Sequence, residues 1–514
     1  MSLLGIDVGT TGCKAAAFAA DGRQLCAAYR EYATLHPADG WAELDSREVL
    51  ACVKAVIAEV AAGAKHDPVT ALCVSSMGEA MTPVSSSGEI LDRCILSSDV
   101  RGGDLLADAL GGISREAFYD INPNILGPNY SLPKLLWIRK NRPEVYKAAD
   151  KFLLWGDLVT SALGCEPITS FSLANRTLLF DIRRQDWSDE LLGLSGIDRD
   201  KLPPIAASGT IAGGISAKAA AELGLRKDTA VVVGGHDQCC ASLGAGVRRA
   251  GQAVCGIGTF ECITPTFDRI PESGSMLANG LNVEHHVLPG LYVSFLYNQS
   301  GSLVRWFRDT FASADKQLLA GGQDIYDALA AEMPDAPTRL LTLPYFEATG
   351  SPHFIIDAAG AIVGLKTHTH RGEILKSIME SATFYFVEPL DFLQGMGIDT
   401  SEFVATGGGA KSDRWLQIKA DILGVPFRRP VITECGVLGA AMLAGLGTGA
   451  LQTPADAIDR FVRPDRTFEP DARRHDAYRE RIRLYQQLYP ALRQLLGELQ
   501  SLRTERGSAT MPRS

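Results

Sequence analysis

The sequence predicts an α/β protein of two domains, and three observations lead there. The chain has 514 residues, more than one hydrophobic core normally supports. Short apolar runs end in glycine-rich turns and lead into helix-spaced segments, the pattern of strands feeding helices. A strand, glycine turn and strand at the start of the chain return in outline at Gly251 to Thr264, through Cys255-Gly256-Ile257-Gly258-Thr259-Phe260. That return reads as a weak internal duplication with its boundary near Arg248 to Gly251. The expected division is 1–248, then 249–503, then a disordered tail over 504–514.

Taken in order, Leu3 to Phe18 reads as strand, tight turn, strand, with Asp21-Gly22 as a hairpin turn. Asp7 ends the first strand, and Gly9-Thr10-Thr11-Gly12 with Lys14 follows. Backbone N–H groups, two hydroxyls and one cation so arranged suit a phosphate. The spacing is not that of a Walker A loop, because a strand follows where that loop needs a helix. Asp7 could hold magnesium, usually through waters, since Mg²⁺ keeps much of its hydration shell. Asp45 to Ala64 has helical spacing with an acidic first turn. Val69 to Ser76 is a strand that leads into Met77-Gly78-Glu79. Cys94 to Leu96 is another, leading into Ser97-Ser98-Asp99-Val100-Arg101. Ligands of α/β sheets gather past strand ends, so Met77, Glu79, Asp99 and Arg101 are candidate substrate contacts. Glu79 reads equally as a surface acid, and Asp99 with Arg101 as a local ion pair.

Ser131 to Asn141 and Glu190 to Leu194 read as helices. Ala230-Val231-Val232-Val233 is a buried strand, ended by Gly234-Gly235 and followed by His236-Asp237-Gln238 and a run of small residues. Asp237 is read in two ways: a general base delivered to the mouth of a cleft, or a helix N-cap. Beyond the second glycine turn, Asn298 to Arg308 opens a helix at a polar glycine loop, and Leu340 to Leu343 and Phe354 to Val363 supply strand. Gly372 to Phe392 is a long helix. Phe403 to Ala405 is a strand opening into Thr406-Gly407-Gly408-Gly409-Ala410-Lys411-Ser412, and Asp413 to Leu423 is the helix after it. Glycines between strand and helix let a flat or anionic ligand rest on bare backbone. Val437 to Leu446 is an Ala- and Gly-rich helix, and Ala477 to Arg503 is charged and amphipathic.

Composition narrows the class of function. Hydrophobic residues make up 46% and charged residues 21%, as in ordinary globular proteins. A net charge of −10 argues against a nucleic-acid partner. The eleven cysteines are scattered with no C-x-x-C, which suggests reduced thiols in a cytoplasmic protein and neither a disulfide framework nor a zinc site. No apolar run reaches membrane-spanning length, and the immediate first strand leaves no room for a signal peptide. A nicotinamide-dependent enzyme is excluded because no G-x-G-x-x-G links a strand to a helix.

The ordered set of Asp-Val-Gly-Thr-Thr loop, central Gly-His-Asp, Gly-Thr-Phe turn and Gly-Gly-Gly-Ala resembles the FGGY family of carbohydrate kinases, from Leu3 to about Gly447. Gly360-Ala-Ile-Val-Gly364-Leu365, seven residues, then Glu373-Ile374-Leu-Lys-Ser377-Ile378-Met379-Glu380 fits the family's C-terminal signature. Ser131, Lys134, Leu135, Trp137, Ile138, Lys140 and Asn141 fit the N-terminal one, from which Asn129 departs. The resemblance implies two RNase H-like domains of the actin-like ATPase group with a cleft between them, sugar against the first and adenine against the second. It implies ATP, Mg²⁺ and a small sugar or polyol as the molecules bound, and it admits a homodimer.

It also implies roles. Asp237 is the general base, with His236 and Gln238 beside it at the sugar. Thr10, Thr11 and Lys14 face the phosphates, Gly258 and Thr259 the β-phosphate, and Gly301 lies near the nucleotide. Gly408, Gly409 and Ala410 pack on adenosine, with Asp413 on the same side, and Asp7 orients hydrated Mg²⁺. The acceptor is less defined. Relatives acting on xylulose commonly carry Met-His where this chain has Met77-Gly78, and those acting on glycerol carry Arg-Glu where it has Gly78-Glu79. The Gly407 to Ser412 run looks most like xylulose kinases, although it lies at the nucleotide and says little about the sugar; a ketopentose such as xylulose is the expected acceptor, with glycerol, another polyol or a sugar acid as the alternative. A non-catalytic sensor on the same fold is the other class of function, and Asp237 discriminates the two.

Overall fold

Two sheets of like strand order organise the chain in a computed structural model, which describes residues 2–318, 324–432 and 434–506. The first is built from β1 (Ser2–Val8), β2 (Gly12–Ala19), β3 (Gln24–Glu31), β4 (Val69–Ser76), β5 (Ile211–Gly214) and β6 (Ala230–His236), in the order β5-β6-β4-β1-β2-β3. The first three strands form an antiparallel meander, and β4 and β6 join it in parallel. The second comprises β7 (Gln252–Ile257), β8 (Phe260–Phe267), β9 (Glu284–His285), β10 (Tyr292–Val293), β11 (Leu296–Gln299), β12 (Glu402–Thr406), β13 (Phe427–Pro430) and β14 (Pro464–Phe468). Its order is β9-β10-β8-β7-β12-β13-β14, with β11 also on β8. β8 turns back antiparallel to β7, β12 and β13 follow in parallel, and β14 is an antiparallel edge. The succession β2-β1-β4-β6-β5 therefore recurs as β8-β7-β12-β13-β14, and the repeat expected from the two glycine turns is present in the topology.

The helices that matter to the site are α1 (Ser46–Gly63), α2 (Ser131–Asn141), α3 (Phe171–Asn175), α4 (Asp237–Gly244), α5 (Gly301–Phe311), α6 (Arg371–Gly395), α7 (Asp413–Leu423), α8 (Cys435–Gly447) and α9 (Ala472–Arg506). The Asp45 carboxylate caps α1 by accepting from the N–H groups of Arg47 and Glu48. Two expectations are corrected. The strand placed over Phe354 to Val363 is confined to Ala361–Val363, because Phe354 takes a left-handed φ of +49° that breaks an extended ladder. The terminal helix starts earlier and runs unbroken to Arg506, so Thr504 to Arg506 are helical; Glu505 and Arg506 are good helix formers. The rest of the expected tail, 507–514, lies outside the described residues.

The alternation of side chains along β1 sets the packing. Leu4, Ile6 and Val8 join α1 in one core, whereas Leu3 joins Val437, Leu438 and Ala441 of α8 in another. Gly5 lies on the α8 side, where a Cβ would stand 1.9 Å from the Val437 carbonyl oxygen. A helix carried by the second half of the chain thus packs on the sheet of the first, and it also lies along α4. There a Cβ on Gly439 would stand 1.9 Å from Cys240 O, and one on Gly244 2.0 Å from Cys435 O. Backbone meets backbone, so neither side can yield as a flexible side chain would.

Gly439→Ala is expected to destabilise the protein by about 2–3 kcal/mol, the upper range for overpacking, measured by urea denaturation. Gly497→Ala, on the α9 surface with nothing within 4 Å of its Cβ position, is expected to have the opposite sign, a gain of about 0.5–1 kcal/mol from helix propensity. Equal effects at both sites would refute the close-contact account.

Candidate active site

The ends of β1, β4 and β6 bring the first group of residues together. β1 and β4 pair with Asp7 opposite Ser75, and the Ser75 hydroxyl donates to Asp7 Oδ1 at 2.6 Å. Burial raises the Asp7 carboxyl above its ordinary range, against the opposing Ser75 hydrogen bond and the charge of Lys14. Lys14 is the register partner of Asp7 on β2, and its ammonium pairs with Glu434 at the start of α8 (2.6 Å). Thr10 and Thr11 are exposed in the turn between β1 and β2.

Asp237 follows β6 as the first residue of α4. The N-cap position belongs to His236, so Asp237 is not the cap. Its Oδ1 accepts from Gln238 N at 2.6 Å and lies 3.3 Å from His236 Nε2. The Asp237 carboxyl is pushed up to about 7, mainly by burial, then by the negative charges of Asp7 and Glu79, with Arg176 pulling the other way. Burial, helped by Arg176, holds the His236 imidazole neutral. Its Nδ1 is buried without a hydrogen-bond partner.

Thr10, Met77, Glu79, His236, Asp237 and Gln238 line one cavity of about 940 Å³. Glu79 sits there with a left-handed φ of +49°, costly for a glutamate and typical of backbone strain kept at functional sites. The second half of the chain completes the walls with Phe260, Asn282, Phe295, Tyr297, His353 and Phe354. Tyr130 and Arg176 also line it, and sequence reasoning missed both. Tyr130 immediately precedes α2, and Arg176 follows the short α3; neither position carries a spacing signal. Arg176 Nε donates to Glu79 Oε1 (2.6 Å) and Nη1 to Glu284 Oε1 (2.6 Å).

Asp99 and Arg101 are not among the residues lining this cavity. The Asp99 carboxylate accepts from Arg101 Nε (3.0 and 2.9 Å), Arg101 Nη2 (2.7 Å) and Ala42 N (2.7 Å). Burial alone would raise its pKa, but these hydrogen bonds outweigh it and the carboxyl is lowered. Arg101 also pairs with Glu43 (2.8 Å) and lies 3.7 Å over the Trp41 ring and 4.8 Å from that of Trp137. These contacts hold the pair in place, with Arg101 Nη1 buried and without a hydrogen-bond partner; of that loop, Ser97 reaches the cavity.

A second group gathers at the ends of β7 and β12. Gly301 N donates to Gly258 O (3.2 Å) and Ser302 N to Thr259 O (3.0 Å), which seats the β7–β8 turn on the start of α5. A Cβ on Gly301 would stand 2.2 Å from Gly258 O, and one on Gly409 2.3 Å from Ile257 Cγ2. Gly408 is exposed and Ala410 buried. Arg429 ties Asp413 to this turn, donating to Asp413 Oδ1 (2.8 Å) and Ala410 O (3.0 Å), and Arg466 pairs with the other Asp413 oxygen. Beneath lies a buried ion pair, Lys419 to Glu261 at 2.6 Å, with Ser300 donating to the second Glu261 oxygen at 2.7 Å. It anchors β8, α5 and α7 to one point. Among the described residues no helix is long and apolar enough to cross a membrane.

The FGGY family of carbohydrate kinases, N-terminal domain, matches residues 2–244, and its C-terminal domain matches residues 257–448. Among similar proteins, the xylulose kinase of Bacillus subtilis (strain 168) is 27% identical over 508 residues, covering 98% of this chain and 99% of its own. The autoinducer-2 kinase of Escherichia coli (strain K12) is 29% identical over 511 residues, covering 95% and 94%. The crystal structure of xylulose kinase from Rhodospirillum rubrum superposes with a TM-score of 0.87 at 26% identity, over 97% of this chain and 100% of that one. The two repeated sheets, the cavity their strand ends share and these full-length matches agree: the chain belongs to the FGGY family of carbohydrate kinases, phosphotransferases with an alcohol group as acceptor, and has their actin-like ATPase fold.

Proposed function

We propose that the protein is an ATP-dependent carbohydrate kinase that transfers the γ-phosphate of ATP to a hydroxyl of a small sugar or polyol, a ketopentose such as D-xylulose being the first choice. The observation that carries this reading is Asp237, a carboxylate poised at about 7 in a cavity walled by both halves of the chain. Full-length similarity to proteins named xylulose kinase supports the choice of acceptor. In this reading the chain divides at 248/249, on the connector between α4 and β7.

Phosphoryl transfer passes through a loose transition state, so positioning and charge neutralisation carry most of the catalysis. Asp237 receives the proton of the acceptor hydroxyl, a task matched to a base titrating near neutral pH. His236 flanks Oδ1 without adding charge. Thr10, Thr11, Lys14 and the backbone at Gly258 and Thr259 receive phosphate oxygens, while Gly301, Gly408, Gly409, Ala410 and Asp413 border the adenosine. The residues fit a hydrated magnesium ion. Asp7 offers one carboxylate fixed by Ser75, Gly436 leaves open a space that a Cβ would fill 3.2 Å from it, and no group of three or more metal-ligating side chains is found among the described residues. Mg²⁺ takes few protein ligands and keeps its waters; bound with the nucleotide, it would neutralise phosphate charge.

The reading is tested by release of ADP from Mg-ATP with ketopentoses, pentitols, glycerol, aldonic acids and ketohexoses. Turnover with one class supports it; tight ATP binding with no turnover on any would favour the sensor. Asp237→Asn is expected to keep ATP affinity and lose about 10²–10⁴ of kcat, and near-normal turnover would remove the base assignment. The active base is the deprotonated carboxylate, so activity is lost as pH falls through its folded pKa. The logarithm of kcat/KM should rise with unit slope up to about pH 7 and flatten above. An acid limb near the ordinary carboxylate value of about 4 would show that burial does not act on Asp237.

A further inference from the structure

The least expected feature of the cavity is a buried bridge of three charged side chains. Arg176, after α3, lies between Glu79, after β4, and Glu284 on β9, so the bridge joins the two halves of the chain. The guanidinium is 13% exposed and Glu284 is fully buried. Tyr130 and Phe295 flank the guanidinium, at 4.8 and 5.8 Å from their ring centres. Gly78 makes room for it: a Cβ there would meet Arg176 Cγ at 2.9 Å and His236 Cδ2 at 3.2 Å. Arg176 thus fills the volume that a side chain at position 78 would take.

Hydrogen-bond capacity shows what this cluster can still do. A guanidinium has five N–H donors. Three go to Glu79 and Glu284, so one on each of Nη1 and Nη2 is left over. Both hydrogen bonds to the Glu79 carboxylate fall on Oε1, so Oε2 is available as an acceptor. The cavity therefore holds N–H donors beside a carboxylate oxygen, the complement of neighbouring hydroxyls that accept from one and donate to the other. Around Arg176 stand Glu79, Glu284 and Asp237, more carboxylate than cation, and His236 is neutral. Arg115 and Glu116 on the rim offset one another.

We infer that Arg176 determines the specificity of the acceptor site, binding neighbouring hydroxyls of an uncharged polyol or sugar together with Glu79, and that the surplus of carboxylates around it rejects acceptors bearing a carboxylate or phosphate. Glu284 is a positioning residue: it touches Arg176 from behind and aims the free N–H groups into the cavity. This inference rests on the kinase reading for its reaction, though not for its binding chemistry.

The test uses the full chain and pairs of equal carbon number, xylulose or xylitol against xylonate, read by thermal shift for binding and by ADP release for turnover. Wild type should respond to the neutral member only. Arg176→Met should raise the acceptor KM or Kd by about 10- to 100-fold, the weight of charge-assisted hydrogen bonds, and leave the KM for ATP within about twofold. Losing the cation should also move the acid limb of Asp237 to higher pH, while the discriminating readout is the rise in acceptor KM at constant KM for ATP. Arg176→Lys should recover part of the affinity, and Glu284→Gln should weaken acceptor binding at constant ATP affinity, so a misfolded Met variant would not decide the matter. An unchanged acceptor KM and an unchanged ranking of neutral over acid in folded Arg176→Met and Glu284→Gln would overturn the inference while leaving the kinase reading intact. Arg176-dependent binding of the neutral member with no turnover would support the inference and refute the kinase reading. Preference of the wild type for xylonate would overturn the inference outright.

Discussion

The contact on which the rest depends is that of α4 with α8, where two helices approach until backbone touches backbone. Gly244 and Gly439 permit it, each lying under a carbonyl of the opposite helix. α4 begins with Asp237, and α8 begins beside Asp7 and Lys14, with Gly436 against the Asp7 carboxylate. Spacing the two helices by a single methyl group would shift the carboxylates at the ends of β1 and β6 relative to one another. Close-packed interiors transmit such strain instead of absorbing it. The geometry of the polar site is thus fixed by an apolar contact that holds no chemistry of its own.

A second constraint is electrostatic. Asp7 and Asp237 are each driven toward the neutral form by burial, and Asp237 further by the charge of Asp7. Two carboxylates held close in a poorly solvated place are stable only with a proton or a cation to share the field. In the same cavity a guanidinium plays that part for Glu79 and Glu284. At the base of the second sheet, Lys419 does so for Glu261. In these last two cases desolvation is offset by a cation, as a buried charge requires.

The parts legible in the sequence were those encoded locally. The turns at Gly9 to Gly12 and Gly258-Thr259, the β6–α4 junction and the helix at Ser131–Asn141 all carry their signals within a dozen residues, and each stands where its pattern put it. The repeat of the two sheets was visible for the same reason, since both begin with a glycine turn. Arg176, Glu284 and the Glu261–Lys419 pair were invisible because their partners are about a hundred or more residues away and no periodicity links them. Asp99 and Arg101 show the opposite case, lying outside the cavity that the other candidates line. Charged residues past a strand end suggest a ligand, yet two tryptophans and Glu43, all distant in sequence from that loop, enclose them.

The pair between Lys14 and Glu434 changes how the arrival of a polyanion is to be understood. Its side chains are 37% and 58% exposed, and an exposed ion pair is worth only about 0–1 kcal/mol. A phosphate reaching Lys14 would therefore not add to a vacant cation; it would take the place of Glu434, whose contact costs little to give up. The exchange would free the glutamate at the head of α8, the helix whose packing holds the two halves in register.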